Sequence, residues 1–149
     1  KTASLFSSCC EMGSLSSGAN KKNILLMREF GSLVGQAFQI RDDLFGYLSY
    51  GIGKPSLNDF RQRKITLPLI YALSKSNSFE KREILKDVKD FKSVEKIISF
   101  VKEKNGITYS ENKMNAMIIK SKKILNSFPD SIYKESLSNL LDYTINRVK

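Results

Sequence analysis

Residues 26–48, LMREFGSLVGQAFQIRDDLFGYL, predict a long amphipathic helix. Apolar side chains recur in it at spacings of three and four residues, at Leu26, Phe30, Leu33, Ala37, Ile40, Leu44 and Leu48. An α-helix turns about once every 3.6 residues, so this spacing gathers the apolar side chains along one face. A helix with one apolar face has to bury it against other elements, and the stretch therefore indicates a helical fold.

The rest of the chain also has helical rather than strand-like patterns. Further helices are predicted in residues 2–19, 66–77, 78–90, 93–106, 107–128 and 130–148. The first of these is rich in small and apolar residues, which indicates a buried helix, and Pro68 is tolerated in the first turn of the second. Ser78 and Ser93 are predicted N-caps, and the last helix is expected to start at Asp130 or Ser131. We predict an all-α fold of about six helices.

The composition excludes several classes of function. The chain contains no histidine, which excludes His-based catalysis and most catalytic zinc sites. Its cysteines, Cys9 and Cys10, are adjacent, so we expect two small, buried or half-buried helix residues rather than a disulfide framework. The net charge is +10, but the lysines fall at polar positions between apolar ones, as on solvated helix faces, and nucleic-acid binding is not the expected function. No apolar run reaches the length of a membrane span.

Two adjacent carboxylates, Asp42 and Asp43, lie in the C-terminal half of the long helix. They repel each other and oppose the negative end of the helix dipole, and Gly46 costs about a further 0.5–1 kcal/mol relative to alanine. A bound cation would offset these costs. Mg²⁺ is the natural candidate, because it is usually held by one or two carboxylates together with substrate phosphates. The alternative is an exposed aspartate pair on a solvated face.

The residues around the pair favour a diphosphate site. Gly53 allows close approach of a ligand to the backbone, and Lys54 adds a positive charge. Lys64 follows ten residues later, and Lys1 and Thr2 supply a further amine and a hydroxyl group. Lysines, a hydroxyl group, a glycine turn and magnesium-binding carboxylates are the groups that hold a diphosphate.

Four motifs identify a family resemblance. KTASLF, GQAFQIRDDLF, GKP…ND and KITLPLIYAL, in this order and spacing, resemble the C-terminal half of the trans-polyprenyl diphosphate synthases. The resemblance covers residues 1–149 and is closest to long-chain, octaprenyl-type bacterial members. It implies the all-α isoprenoid-synthase helical bundle, with this chain as a single all-α segment forming its C-terminal portion. The family's N-terminal half, which carries the first aspartate-rich motif, is absent from the chain, so we expect the chain alone to be inactive.

The resemblance also implies an activity and its partners. Family members are prenyltransferases that add isopentenyl diphosphate to an allylic diphosphate, such as farnesyl or geranyl diphosphate, and so build a polyprenyl diphosphate. The cofactor implied is Mg²⁺, which assists ionisation of the allylic substrate. The resemblance further implies a cytoplasmic homodimer that has no nucleic-acid partner and no transmembrane segment. It also implies a peripheral contact with the membrane for release of the product.

The same resemblance assigns roles to individual residues. Asp42 resembles a catalytic magnesium ligand, and Asp43 resembles a residue that supports it through metal-bound water. Lys1 and Lys54 resemble catalytic lysines that hold the allylic diphosphate. The substrate-binding residues implied are Lys1, Thr2, Phe38, Gln39, Lys54 and Lys64.

One departure from the family pattern leaves an alternative open. The family's second motif ends in aspartate, whereas this chain has Gly46, so one carboxylate is missing. Either Asp42 is sufficient and the protein is an active synthase, or it is an inactive or scaffold homologue without a full metal site, whose partner supplies the chemistry. A basic helical module that binds nucleic acid is a third hypothesis, which a steep salt dependence of binding would support.

Overall fold

The computed structural model describes residues 1–48, 64–91 and 93–146. These ranges contain seven α-helices and no β-strand, which confirms the all-α class. The helices are α1 (Thr2–Ser16), α2 (Lys21–Leu48), α3 (Leu67–Ser74), α4 (Ser78–Asp90), α5 (Val94–Glu103), α6 (Gly106–Asn126) and α7 (Ile132–Asn146). None of the described helices is long and apolar enough to cross a membrane.

The chain divides into two compact units, each described by itself below. The first comprises Lys1–Arg41 and Lys113–Lys149, and the second comprises Asp42–Asn112. The division falls within α2, which continues without a break from Lys21 to Leu48. The grouping of the chain into a single segment of a larger domain stays a prediction.

In the first unit, the predicted apolar face of α2 is buried in part, while Leu26 and Leu33 of that face are half-buried. Phe30, Ala37 and Ile40 from this face are shielded from solvent, and so is Val34, one turn beyond Phe30. Helices α6 and α7 add the buried apolar side chains of Met114, Ile118, Ile124, Leu125 and Leu141. The spacing of apolar residues along the chain is therefore sufficient to identify the buried side of α2.

Helix α1 corrects a prediction, because none of its residues is buried. It packs against α2 on one side only, where Gly31 and Gly35 let the two backbones approach closely. A Cβ atom at Gly35 would lie 2.6 Å from the Cα atom of Ala3, and one at Gly31 would collide with the carbonyl oxygen of Phe6. Cys9 is exposed rather than buried or half-buried. The small residues of α1 thus serve one close helix contact and do not enclose the helix.

The core of the second unit is built mainly from α3, α4 and α5. Its buried cluster comprises Tyr47, Leu69, Ala72, Ile84, Val88, Val94, Ile97, Ile98, Phe100 and Val101. Pro68 lies in the first turn of α3, as predicted. Its carbonyl oxygen lies so close to Gly106 that a Cβ atom there would collide with it. The left-handed backbone between α5 and α6 belongs to Asn105, with φ of 59°, so the glycine is needed for space rather than for the turn.

The N-cap of α4 corrects a second prediction. Asn77, and not Ser78, caps this helix: its side chain accepts hydrogen bonds from the backbone N–H groups of Phe79 and Glu80, at 3.0 and 2.9 Å. The Glu80 carboxylate in turn accepts from the Asn77 N–H group at 3.1 Å, which completes a capping box. Lys104 donates to the same carboxylate at 2.9 Å, and this hydrogen bond is the main cause that lowers the pKa of Glu80.

The two remaining caps agree with the predictions in position. Ser93 is the N-cap of α5, although its side chain makes no capping hydrogen bond and its backbone is left-handed, with φ of 50°. Ser131 precedes α7, and its hydroxyl oxygen accepts a hydrogen bond from the Lys134 N–H group at 3.1 Å.

Candidate functional site

Two of the predicted polar site residues meet at the start of α1. Thr2 is the first residue of this helix, and its hydroxyl group donates to the Oε1 atom of Gln39 on α2, at 3.3 Å. Lys1 is exposed and occupies the N-cap position of α1. The first unit therefore holds a hydroxyl group and an amide close together, although Thr2 and Gln39 are 37 residues apart in the chain.

The close contact between α1 and α2 determines which residues meet there. Gly35 of α2 lies against Ala3 of α1. Ala3 follows Thr2 directly, and Gly35 precedes Gln39 by one helical turn. The predicted aromatic residue, Phe38, is half-buried and packs on Phe6, with ring centroids 5.9 Å apart and planes inclined by 35°. A glycine pair four residues apart in α2 is the sequence signal for this contact, and sequence reasoning missed it.

The carboxylate pair belongs to the second unit. Asp42 and Asp43 are both half-buried, and each interacts with other groups of the protein. They are therefore not the exposed pair on a solvated face that the alternative interpretation required. Gly46, one turn further along α2, is buried. In the described part of the chain, no cluster of three or more His, Cys, Asp or Glu side chains is arranged to hold a metal ion by itself.

A buried hydrogen bond connects the end of α2 to the segment that carries Lys64. The hydroxyl groups of Tyr47 and Thr66 lie 2.7 Å apart, and both residues are almost completely buried. Tyr47 stands one turn after Asp43, and Thr66, in extended backbone with φ of −88° and ψ of 165°, is the N-cap of α3. Lys64 lies two residues before Thr66 and is exposed. The threonine before Leu67-Pro68 is a recognisable cap signal, but nothing local in the sequence reveals its tyrosine partner.

One predicted site residue cannot be placed. Lys54, with the neighbouring Gly53 of the predicted turn, lies outside the described residues. The structure thus brings Thr2 and Gln39 together in the first unit. In the second unit, the hydrogen bond between Tyr47 and Thr66 connects the segments that carry Asp43 and Lys64.

Comparisons with known proteins identify the family. The model of the polyprenyl synthetase family matches residues 1–104. The geranylfarnesyl diphosphate synthase of Aeropyrum pernix is 32% identical over all of this chain and 48% of its own length.

Solved structures of polyprenyl synthases have a similar fold. The geranylgeranyl pyrophosphate synthase of Bacteroides thetaiotaomicron is 33% identical with a TM-score of 0.86, over 99% of this chain and 50% of that one. A polyprenyl synthase of Caulobacter crescentus, complexed with calcium and isoprenyl diphosphate, is 27% identical with a TM-score of 0.80, over 99% and 47%. The chain spans about half the length of the curated relatives it matches. The chain belongs to the polyprenyl synthetase family.

Proposed function

We propose that this chain forms part of a prenyltransferase that adds isopentenyl diphosphate to an allylic diphosphate, farnesyl or geranyl diphosphate, and so builds a polyprenyl diphosphate. The observation that carries the proposal is the family match over residues 1–104. This range includes all the candidate site residues, namely Lys1, Thr2, Phe38, Gln39, Asp42, Asp43, Lys54 and Lys64. The complex of the Caulobacter synthase with calcium and isoprenyl diphosphate supports a divalent cation and a diphosphate as ligands here as well.

The described donors fit a magnesium ion that shares its coordination with a diphosphate. Asp42 and Asp43 offer two half-buried carboxylates, and the described residues contain no larger cluster that would hold a metal without substrate. Mg²⁺ is usually held by one or two carboxylates plus phosphate oxygens and water. Bound there, it would supply charge neutralisation for the diphosphate leaving group. Asp42 is the proposed direct ligand, and Asp43 is proposed to act through metal-bound water.

The remaining residues bind and orient the substrate in this proposal. The ammonium groups of Lys1 and Lys64 are both on exposed residues, and each would bind diphosphate oxygens through a charge-assisted hydrogen bond. The hydroxyl group of Thr2 donates to the Gln39 side chain and so orients that amide at the same end of α1. Phe38 offers an aromatic ring for contact with an isoprene unit.

Gly46 supports a second candidate function. At this buried position the family pattern has an aspartate, so the chain offers one carboxylate fewer than that pattern. An inactive or scaffold homologue, whose partner supplies the chemistry, would tolerate this loss. The first candidate requires that Asp42 alone makes the essential metal contact.

We include two further properties in the proposal. The protein is expected to act as a cytoplasmic homodimer, and light scattering that shows a monomer would contradict the dimer. A peripheral membrane contact would let the product leave, and flotation with lipid vesicles tests it. Neither property is needed for the roles proposed for Asp42 and the lysines.

The experiment is magnesium-dependent incorporation of labelled isopentenyl diphosphate into farnesyl diphosphate by the protein that carries this sequence. Activity is expected for the native protein and is expected to be lost in Asp42→Asn. Asp90→Asn is the matched control, because it makes the same change at an exposed aspartate on α4, and it should leave activity unchanged. If only Gly46→Asp is active, while Gly46→Ala and the native protein are not, the scaffold function replaces the first proposal.

A further inference from the structure

Helix α4 directs several of its acidic residues towards α5, where they are paired. The Nζ atom of Lys96 on α5 lies 3.5 Å from a carboxylate oxygen of Glu83 and 3.1 Å from one of Asp87. Lys104, directly after α5, is paired with Glu80 at 2.9 Å. Three carboxylates of α4 therefore find their counter-charges inside the second unit and face the same neighbouring helix.

The basic residues of α4 lie on its outward side together with two large apolar residues. Arg82, Lys86 and Lys89 are exposed, and no ion pair joins any of them to another described residue. Phe79 precedes them on the same line of the helix, because steps of three and four residues return to one face. Phe79 is 72% exposed, and Leu85, beside this line, is 41% exposed. We call these five residues the α4 outer face.

We propose that the α4 outer face binds the surface of an anionic phospholipid membrane. The inference deepens the proposed function and rests on it, because a polyprenyl diphosphate has a hydrocarbon chain that is driven from water into lipid. The three unpaired cations are attracted to anionic headgroups. Phe79 and Leu85 gain free energy when they leave water at the boundary between headgroups and acyl chains. The face therefore combines the two kinds of side chain that a peripheral membrane contact uses.

The apolar residues of the face favour a membrane over a nucleic acid. A phosphate backbone attracts lysine and arginine as anionic headgroups do, so the cations alone fit both partners. An aliphatic side chain such as Leu85, however, neither binds phosphate nor stacks on a base, and it stays in water beside a nucleic acid. Only the lipid surface removes Leu85 and Phe79 from water while it neutralises the cations between them.

The test is flotation of the protein that carries this sequence with vesicles of phosphatidylcholine and phosphatidylglycerol. Binding is expected with these vesicles and not with phosphatidylcholine alone, and it should weaken as the salt concentration rises. Each basic residue near an anionic bilayer strengthens binding by about fivefold. A variant with Arg82→Gln, Lys86→Gln and Lys89→Gln together should therefore bind about a hundredfold more weakly. Equal binding of this variant and the native protein would overturn the proposal, and so would equal binding to both kinds of vesicle.

A matched control removes the same amount of charge elsewhere. Lys21→Gln, Lys22→Gln and Lys113→Gln together change three exposed lysines outside α4. This variant should retain most of the native binding, because charges farther than a Debye length from the membrane are screened. If it lost as much binding as the α4 variant, net charge alone would explain the attraction and the assignment to α4 would be wrong.

A tryptophan reports whether the face enters the lipid. This sequence contains no tryptophan, so the fluorescence that Phe79→Trp adds to that of the native protein comes from the α4 outer face. The added emission should shift to shorter wavelength with the anionic vesicles, because an indole ring settles at the membrane interface. Tyr133→Trp, at a 75% exposed residue of α7, should show no shift. An unshifted Phe79→Trp would contradict the proposal, as would binding of duplex DNA, and not of vesicles, through the same basic residues.

Incorporation of isopentenyl diphosphate separates this inference from the function on which it rests, because flotation requires no turnover. A protein that binds anionic vesicles through the α4 outer face but does not incorporate isopentenyl diphosphate would support the membrane contact and contradict the proposed function. An active protein that does not float with the vesicles would support the function and refute the membrane contact.

Discussion

Replacing Gly31 or Gly35 by alanine is expected to force α1 away from α2. A Cβ atom at Gly31 would lie 2.8 Å from the carbonyl carbon of Phe6 and 2.9 Å from the Sγ atom of Cys10. One at Gly35 would lie 2.6 Å from the Cα atom of Ala3. Carbon atoms in favourable contact are about 3.5–4.0 Å apart, so the helices would have to separate by about 1 Å. The nearest obstructing atoms belong to the backbone, and no change of rotamer relieves them.

The structure sets the expected size of the effect. Overpacking costs about 1–3 kcal/mol, and an obstruction by backbone belongs at the upper end of this range. Alanine recovers about 1 kcal/mol of helix propensity, so we expect Gly35→Ala to lower the free energy of unfolding by about 2 kcal/mol. Gly13, on α1, is the matched control, because no atom lies within 4 Å of where its Cβ would be. Gly13→Ala should raise the free energy of unfolding by about 0.5–1 kcal/mol.

Urea unfolding followed by far-ultraviolet circular dichroism measures both changes. The two variants should move the midpoint in opposite directions, Gly35→Ala to lower and Gly13→Ala to higher urea concentration. If Gly35→Ala were as stable as the native chain, the close contact between α1 and α2 would be refuted. The close approach of α1 and α2 would then no longer explain why Thr2 and Gln39 meet.

Two other predictions concern the second unit. Tyr47→Phe should lower the free energy of unfolding by about 1–3 kcal/mol, because the buried Thr66 hydroxyl loses its hydrogen bond with Tyr47. Urea unfolding of Tyr47→Phe, Thr66→Val and the double variant should show that the double variant loses less stability than the two single variants lose together. Strictly additive losses would contradict the pairing. In the folded chain the pKa of the Glu80 carboxylate is lowered, chiefly through the hydrogen bond from Lys104. The stability that this carboxylate contributes is therefore present above its pKa in the unfolded chain, and it is lost as the pH falls through the lower pKa of the folded chain. Thermal unfolding at several pH values should therefore show the native chain as more stable than Glu80→Gln at neutral pH and no more stable in acid, and an advantage that persists in acid would count against this assignment.

Local spacing predicts the helices better than it predicts their surroundings. The apolar period of residues 26–48 identifies the buried side of α2, because one face of a helix is defined by neighbours in sequence. The burial of α1 is predicted wrongly, since small residues suit both an enclosed helix and a single close contact. Asn77 and Ser78 are both residue types that cap helices well. The three-residue spacing from Asn77 to Glu80 matches a capping box, and this spacing is the sequence signal that identifies Asn77 as the cap.

The candidate site depends more heavily on packing between distant segments. Motif order indicates which residue types take part, but the contact between Thr2 and Gln39 spans 37 residues. That contact requires the glycine-mediated approach of two helices. The pair of Tyr47 and Thr66 spans 19 residues and has no periodic signature. Such tertiary contacts are not encoded in local spacing, so a single sequence does not reveal them.

The most direct test of the central claim, that the Asp42 carboxylate belongs to a magnesium and diphosphate site, is titration calorimetry of inorganic diphosphate into the chain. It does not require the chain to turn over. We expect binding only when Mg²⁺ is present. Binding should be weakened at least about tenfold in Asp42→Asn, because a half-buried carboxylate that contacts the ion is lost, and it should be unchanged in Asp90→Asn. Binding that is independent of Mg²⁺, or equal in the native chain and Asp42→Asn, would contradict the central claim.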